Sequence, residues 1–237
     1  MAHSDAWKTC LKPRKELEEV LDRVNKSIEI KDAHIELSTV ARANELVGFL
    51  GEHFFPNETL SKSIGLELDE DLRNYLLEFL NDNLSVIVVH NRTNEIIASV
   101  GLALEYDGMP EVKLGNKKYA LIMEYMRNRQ DDMDVYKRFK CNKCVNIGFL
   151  CTHIQHRGKG LATTVFKAAL DFAKELGSTP VYFHGEGSAH ASQKIFENLE
   201  FEIIHRFKNE EYEVNGEVLF KNTGDVKDLI CYVKEMH

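Results

Sequence analysis

The stretch CTHIQHRGKGLATTVFKAALDFAKEL, residues 151–176, decides how this chain is to be read. Leu161, Val165, Ala169, Phe172, Ala173 and Leu176 fall on one helical stripe, and Gly177 marks the expected end of that helix. An apolar, strand-like run comes just before. Between them, Arg157-Gly158-Lys159-Gly160 is too basic and too flexible for a strand or a helix interior. A helix that starts directly after a strand presents unpaired backbone N–H groups and the positive end of its dipole. Glycine at that junction lets the backbone approach an anion with no Cβ in the way. Arg157 and Lys159 put positive charge on the same rim, so the junction points to an anionic ligand such as a pyrophosphate; the alternative is a tight turn carrying two solvated cations. Two other phosphate loops are excluded by position. A Walker A loop needs glycine where His153 stands and Ser or Thr where Gly160 stands, and a dinucleotide fingerprint needs glycine at Thr163.

Working outward, strands are expected over 34–40, 84–90, 95–105, 144–154, 179–187, 200–209 and 228–236. Helices are expected over 11–28, 41–55, 69–82, 116–139 and 188–199. The turn NRTN makes a hairpin of the second and third strands. Strands alternating with helices in the second half demand some parallel pairing, and the hairpins demand antiparallel pairing. The expected architecture is a mixed α/β sheet flanked by helices. Residues 1–28 form an N-terminal helical extension in this reading, and 29–237 one domain.

The totals limit the partners. At 237 residues, 43% of them hydrophobic and only four of them proline, the chain can bury a sizeable core. A formal charge of −8 argues against nucleic acid, which needs a basic face, and suits a cationic small substrate. Five cysteines, Cys10, Cys141, Cys144, Cys151 and Cys231, are an odd number in a large chain, so a disulfide framework is not expected. Cys141 and Cys144 have half of a zinc spacing with no second pair at the usual distance, so no metal is expected. The opening residues are charged where a signal peptide would be apolar, and no run reaches membrane-spanning length. The expectation is a soluble cytoplasmic protein with no membrane contact, monomeric or homodimeric.

Gln155-His156-Arg157-Gly158-Lys159-Gly160 resembles the Q/R-x-x-G-x-G/A signature of the GNAT superfamily of N-acetyltransferases, and the element order agrees with that fold over about 29–237. The resemblance implies a GNAT-type mixed, mostly antiparallel sheet. It also implies that acetyl-CoA is the cofactor, its pyrophosphate held by Arg157, Gly158, Lys159, Gly160, Leu161 and Ala162 and its pantetheine arm by backbone groups of Leu150 and Thr152. Three further segments, HFFPNETLSKSIGL (53–66), SAHASQKIFENLEF (188–201) and NGEVLF (215–220), resemble the animal arylalkylamine N-acetyltransferases. That implies a small-molecule amine substrate such as dopamine, serotonin, octopamine or tyramine. A polyamine, an amino acid or a non-catalytic CoA-binding regulator is the alternative.

Amide formation from an ammonium and a thioester needs a base for the amine and an acid for the leaving sulfur. Glu58, after Phe54 and Phe55, matches the catalytic glutamate of those enzymes, and the apolar bulk beside it is expected to raise its pKa; its other reading is the cap of a short helix. Thr59 stands where they have proline. Ser188 and Ser192 match two serines proposed to assist proton movement, and Ser188 also reads as a helix N-cap. Many GNAT enzymes have a tyrosine acid where this chain has Phe196, which leaves Ser192 as the expected acid, with His190 behind it. His153, His156 and His184 are expected near the cleft, Cys151 is expected to be core, and Glu200 replaces a family glycine at a turn.

Overall fold

The computed structural model describes residues 12–81, 84–110, 112–133, 135–175 and 182–236. Cys10, Gly177 and the expected strand start at 179–181 lie outside them, as does the beginning of the expected extension.

The chain runs α1 (Arg14–Ser27), β1 (Ala33–Leu37), α2 (Val40–His53), α3 (Thr59–Ser63), α4 (Glu70–Leu80), β2 (Val86–His90), β3 (Ile96–Tyr106), α5 (Lys117–Met133), α6 (Val135–Phe139) and β4 (Lys143–Thr152). A short 3₁₀ turn (Ile154–His156) leads to α7 (Leu161–Ala173), β5 (Tyr182–Gly187), α8 (His190–Asn198), β6 (Glu202–Lys208), the small strands β7 (Glu213–Val214) and β8 (Glu217–Val218), and β9 (Asp228–Glu235). The helix expected over 116–139 is thus two helices, and the strand expected to reach 154 gives way to the 3₁₀ turn after Thr152.

Seven strands form one sheet in the order β1-β2-β3-β4-β5-β9-β6. Only β4 and β5 run parallel; every other pairing is antiparallel. The mixed, mostly antiparallel sheet flanked by helices is the architecture the sequence leads one to expect. Side-chain alternation divides its faces. On one face, Val145, Ile147, Phe183 and Tyr232 pack with Leu17, Val20, Leu21 and Val24 of α1, with α7, and with Phe196 of α8. On the other, Ile87, Val89, Phe149, Cys151 and Cys231 pack with α2, α4 and α5. Amphipathic spacing turns each of these helices inward, and local chemistry sets some of their starts: α4 begins at Asp69, whose Oδ1 accepts the Leu72 amide at 2.8 Å.

Two irregularities create the site. Gly101 of β3 pairs with Phe149, whereas Leu102 pairs with Ile147, so Gly148 is an extra residue in β4. Such a bulge bends its strand; a Cβ on Gly148 would stand 2.9 Å from the Phe79 ring, so glycine is needed there. Farther along the sheet, β4 and β5 pair only at Val145–Ile147 with Phe183–Gly185. Both strands continue beyond that point without pairing to each other. A V-shaped opening results in the middle of the sheet.

At the end of α8, Glu200 has a φ of +59°, the left-handed region that favours glycine. Its carboxylate is exposed and 3.9 Å from Lys234 Nζ, a surface contact of little weight. A residue other than glycine here therefore strains the turn. Glu200→Gly is expected to raise stability by about 1 kcal/mol, read as an increase of a few degrees in Tm.

Candidate active site

The junction after β4 folds as the glycines require. Gly158 and Gly160 have φ of +75° and +78°, and a Cβ built on either would meet open space. Gly160 caps α7, and Thr164 N–H closes the first turn on Gly160 O at 3.1 Å. The amides of Gly160, Leu161, Ala162 and Thr163 are then without an intrahelical acceptor. The two cations do not simply line the rim. Arg157 donates through Nε to Thr152 O (3.1 Å) and through Nη2 to His53 O (2.8 Å), tying the loop to β4 and to the end of α2. Lys159 Nζ turns back to Gln155 O at 3.1 Å. These bonds still leave fixed positive charge behind a ring of open amides.

The loop borders a cavity of about 920 Å³ that runs through the opening between β4 and β5. Leu150, Thr152, Arg157, Gly158, Gly160, Leu161 and Ala162 line it; Lys159 is not among its lining residues. Thr152 Oγ1 is buried in this wall with no hydrogen-bond partner. The splayed strand edges, the orphaned hydroxyl and the open-sided amide loop together fit a long ligand with a phosphate group at one end.

At the other side of the cavity, Glu58 ends the turn that follows α2. Its Oε2 accepts the Ser61 amide (2.7 Å), and its Oε1 accepts the Leu60 amide (2.9 Å) and the Ser188 hydroxyl (2.5 Å). The carboxylate is therefore the N-cap of α3, and it also meets a side chain 130 positions away at the end of β5. Three donors, beside the apolar bulk expected there, define its surroundings. Ser188 does not cap α8. Ala189 is the N-cap residue, and Ser192 Oγ accepts Ala189 N–H (3.3 Å) while donating to Ala189 O (2.9 Å). Ser188 and Ser192 both line the cavity, but only Ser188 reaches Glu58.

The His153 ring lies 4.2 Å from that of His53, tilted by 58°, and its Nδ1 accepts the Gln155 amide. His156 lines the cavity; burial, then Lys159 and neighbouring histidines, lowers its pKa. His190 is exposed on α8. Phe196 stacks on Tyr232 with ring centroids 4.6 Å apart and cannot supply a proton. Cys151 is buried, and that burial pushes its thiol up to about 12, so it is core and a poor nucleophile near neutral pH. Among the described residues no group of His, Cys, Asp and Glu could hold a metal ion.

Sequence reading did not single out the polar row across β3, β4 and β5. Glu105 Oε1 accepts Asn146 Nδ2 at 2.5 Å. Asn146 pairs in register with His184, and His184 Nε2 lies 3.1 Å from Glu186 Oε1. That last contact has ion-pair distance without hydrogen-bond alignment. Burial opposes charge on His184, but Glu186 and Glu105 outweigh it and raise its pKa; burial also raises that of Glu105. All four residues line the cavity. The available signal was a lone carboxylate in each of two apolar strands, IIASVGLALEY and YFHGEG.

The acetyltransferase (GNAT) family profile matches residues 52–201, more than half of the chain. The chain belongs to the GNAT acetyltransferase family. This GNAT enzyme uses acetyl-CoA, which its open amide loop and splayed strands fit. Its fold is similar to that of arylalkylamine N-acetyltransferase 2 from Aedes aegypti, with a TM-score of 0.79 at 20% identity over 87% of this chain and 100% of the other. It is also similar to a Drosophila melanogaster polyamine N-acetyltransferase that forms N-acetylagmatine, with a TM-score of 0.75 at 18% identity over 86% and 100%. A Salmonella typhimurium structure with its cofactor acetyl-CoA matches at a TM-score of 0.53 and 13% identity over 87% and 95%. At these identities the likeness is one of fold.

Proposed function

We propose that this acetyltransferase acetylates a small primary amine by direct attack in a ternary complex, with Glu58 as the base. The observation that carries the reading is the 2.5 Å bond from Ser188 Oγ to Glu58 Oε1, at the wall of the cavity that the amide loop also borders. An ammonium cannot attack until it loses a proton. Ser188 directs its own proton at Glu58 and keeps its oxygen lone pairs for an incoming N–H. A proton passed along this pair ends on Glu58 Oε1. Bound acetyl-CoA supplies the acetyl group activated as a thioester. Residues 157–162 would hold its pyrophosphate, and Leu150 and Thr152 its pantetheine arm. Ser192 is the hydroxyl proposed to protonate the departing sulfur: it gives up its bond to Ala189 O, passes its proton to the sulfur and takes in return the second proton that the acylated nitrogen sheds.

The aromatic wall of Phe54, Tyr75, Phe79, Tyr119 and Phe149 supports an arylalkylamine acceptor such as dopamine, serotonin, octopamine or tyramine. A second reading, a polyamine or agmatine-like acceptor, is favoured by Glu78, Glu105, Asp107 and Glu186 on the same cavity. No helix among the described residues is long and apolar enough to cross a membrane, and the described cysteines are free thiols. Free thiols suit a reducing compartment, and the cytoplasm is the place of action proposed for this protein, as a monomer or homodimer.

Thiol release from acetyl-CoA against a panel of aromatic monoamines, polyamines and amino acids tests the reading. Amine-dependent release is expected. Cofactor binding without release on any amine would leave a CoA-binding regulator instead.

A further inference from the structure

Four histidines stand in line beside the amide loop, and the proton transfers proposed for Glu58, Ser188 and Ser192 use none of them. The ring centroids of His53 and His153 are 4.2 Å apart, those of His153 and His156 5.5 Å, and those of His156 and His90 6.4 Å. They come from four separate places: the end of α2, the residue after β4, the 3₁₀ turn and the end of β2. His53 and His156 line the cavity together with Gly158 and Gly160. The line is not a metal centre, since among the described residues no group of His, Cys, Asp and Glu could hold an ion. Its charged neighbours are mostly of the sign that a protonated imidazole would carry. Burial, then His153, lowers the pKa of His53; Glu52 opposes this and Arg157 adds to it. Glu52 stands 3.8 Å from His53 Nε2, but it is exposed, so its pull is screened. Burial, then Lys159, His153 and His90, lowers the pKa of His156. Both cavity-facing imidazoles are therefore neutral in the free protein near neutral pH.

An anion beside the line reverses this balance, because opposite charge favours the protonated ring. A pyrophosphate diester stays ionised across the whole range in which histidine titrates. We propose that His53, His153, His156 and His90 are a proton-charged part of the anion site, which takes up about one proton when the cofactor's pyrophosphate occupies the loop, so that acetyl-CoA binds more tightly as pH falls. The proposal rests on the reading that the loop holds the pyrophosphate, and adds that its occupancy is coupled to pH. A single proton shared along the line is expected because the rings are close, and charge on one opposes charge on the next. The sign follows from linkage. The complex binds more protons than the free protein, so a fall in pH favours the complex until the free protein is itself protonated. The arrangement supplies positive charge when the anion is present and spares the empty site the cost of holding it.

Dephospho-CoA is the probe for the test, because it keeps the pyrophosphate and lacks the phosphate monoester that titrates in the same range. Calorimetric titration at about pH 6.5, in two buffers of unlike ionisation enthalpy, counts the protons taken up on binding; roughly 0.5 to 1 is expected. The dissociation constant is expected to fall by roughly 3- to 10-fold between about pH 8 and about pH 6. His156→Gln is expected to lose most of the uptake and to flatten that dependence, and His53→Gln to reduce both, with folding of each checked by thermal melting. A merely structural fault would weaken binding by the same factor at both ends of the range. Binding to the wild-type protein with no proton uptake overturns the proposal and leaves the loop reading standing. Uptake that survives both substitutions overturns the assignment to these histidines. Binding of acetyl-CoA but not of dephospho-CoA overturns it as well, since the pyrophosphate is then not the anion that matters. Binding of neither removes the loop reading with it.

Discussion

Glu58→Gln is expected to lower kcat by roughly 10²-fold or more while leaving acetyl-CoA affinity close to that of the unaltered protein. The split follows from where Glu58 sits. Its carboxylate bonds directly to Ser188 at the cavity wall, while the amide loop at Gly158 and Gly160 is a separate element. Glutamine keeps an acceptor for one of the two α3 amides and loses the charge that receives a proton. Loss of the cap itself costs about 1 kcal/mol, so Glu58→Ala is expected to show the same loss of kcat together with a lower Tm. Steady-state rates at saturating acetyl-CoA, set beside calorimetric titration of the cofactor, separate the two effects. Ser188→Ala is expected to follow in the same direction, because it removes the hydroxyl that links Glu58 to an incoming amine. A fully active Glu58→Gln would mean that the base lies elsewhere. His153, the next choice from sequence, packs edgewise against His53 and accepts the Gln155 amide, so Glu186, two positions before Ser188, would take its place.

The element types were legible because the periodicities are strong. Alternation and β-branched runs mark β2, β3 and β4, and four apolar positions at helical spacing mark α1. Pairing was less legible, because register and order depend on residues far apart in the chain. Nothing local to 228–235 says that β9 enters between β5 and β6. The β7–β8 hairpin was missed although Asn215-Gly216 carries its turn signal; both residues have positive φ, as the favoured two-residue turn requires.

The same division holds for the candidate site. The glycine junction is a local device, so its spacing alone announces open amides. Glu58 could be named from the segment around it, but its contact with Ser188 spans 130 positions. Ser192, expected as the acid, lines the cavity, yet its hydroxyl is taken up by the start of α8, which only the cap geometry reveals. The polar row is harder still. Glu105, Asn146 and Glu186 come from three strands, and no one segment contains the pattern. What could have been seen is that a carboxylate inside an apolar strand requires a partner.

Gly160→Ala is expected to weaken acetyl-CoA binding by roughly 10- to 100-fold, with little change in kcat once the cofactor is saturating. Two terms act in one direction. At φ +78° an alanine is strained by about 1–2 kcal/mol, which the loop can relieve only by turning its amides away. The added Cβ also points into open space that a pyrophosphate must enter to reach the amides of 160–163. Losing one charge-assisted amide bond accounts for about 1.5–3 kcal/mol, and hence for the expected range. A purely structural fault would lower the Tm of the free protein and leave the dissociation constant alone. The expected result is the reverse emphasis: a modest fall in Tm and a much smaller rise in Tm on adding cofactor, since a ligand stabilises in proportion to the logarithm of one plus its concentration over its Kd. Gly158→Ala, with φ +75° and the same open side, should behave alike. If both variants bind acetyl-CoA as tightly as the parent, the pyrophosphate does not rest on this loop, and the two glycines serve only the turn between β4 and α7.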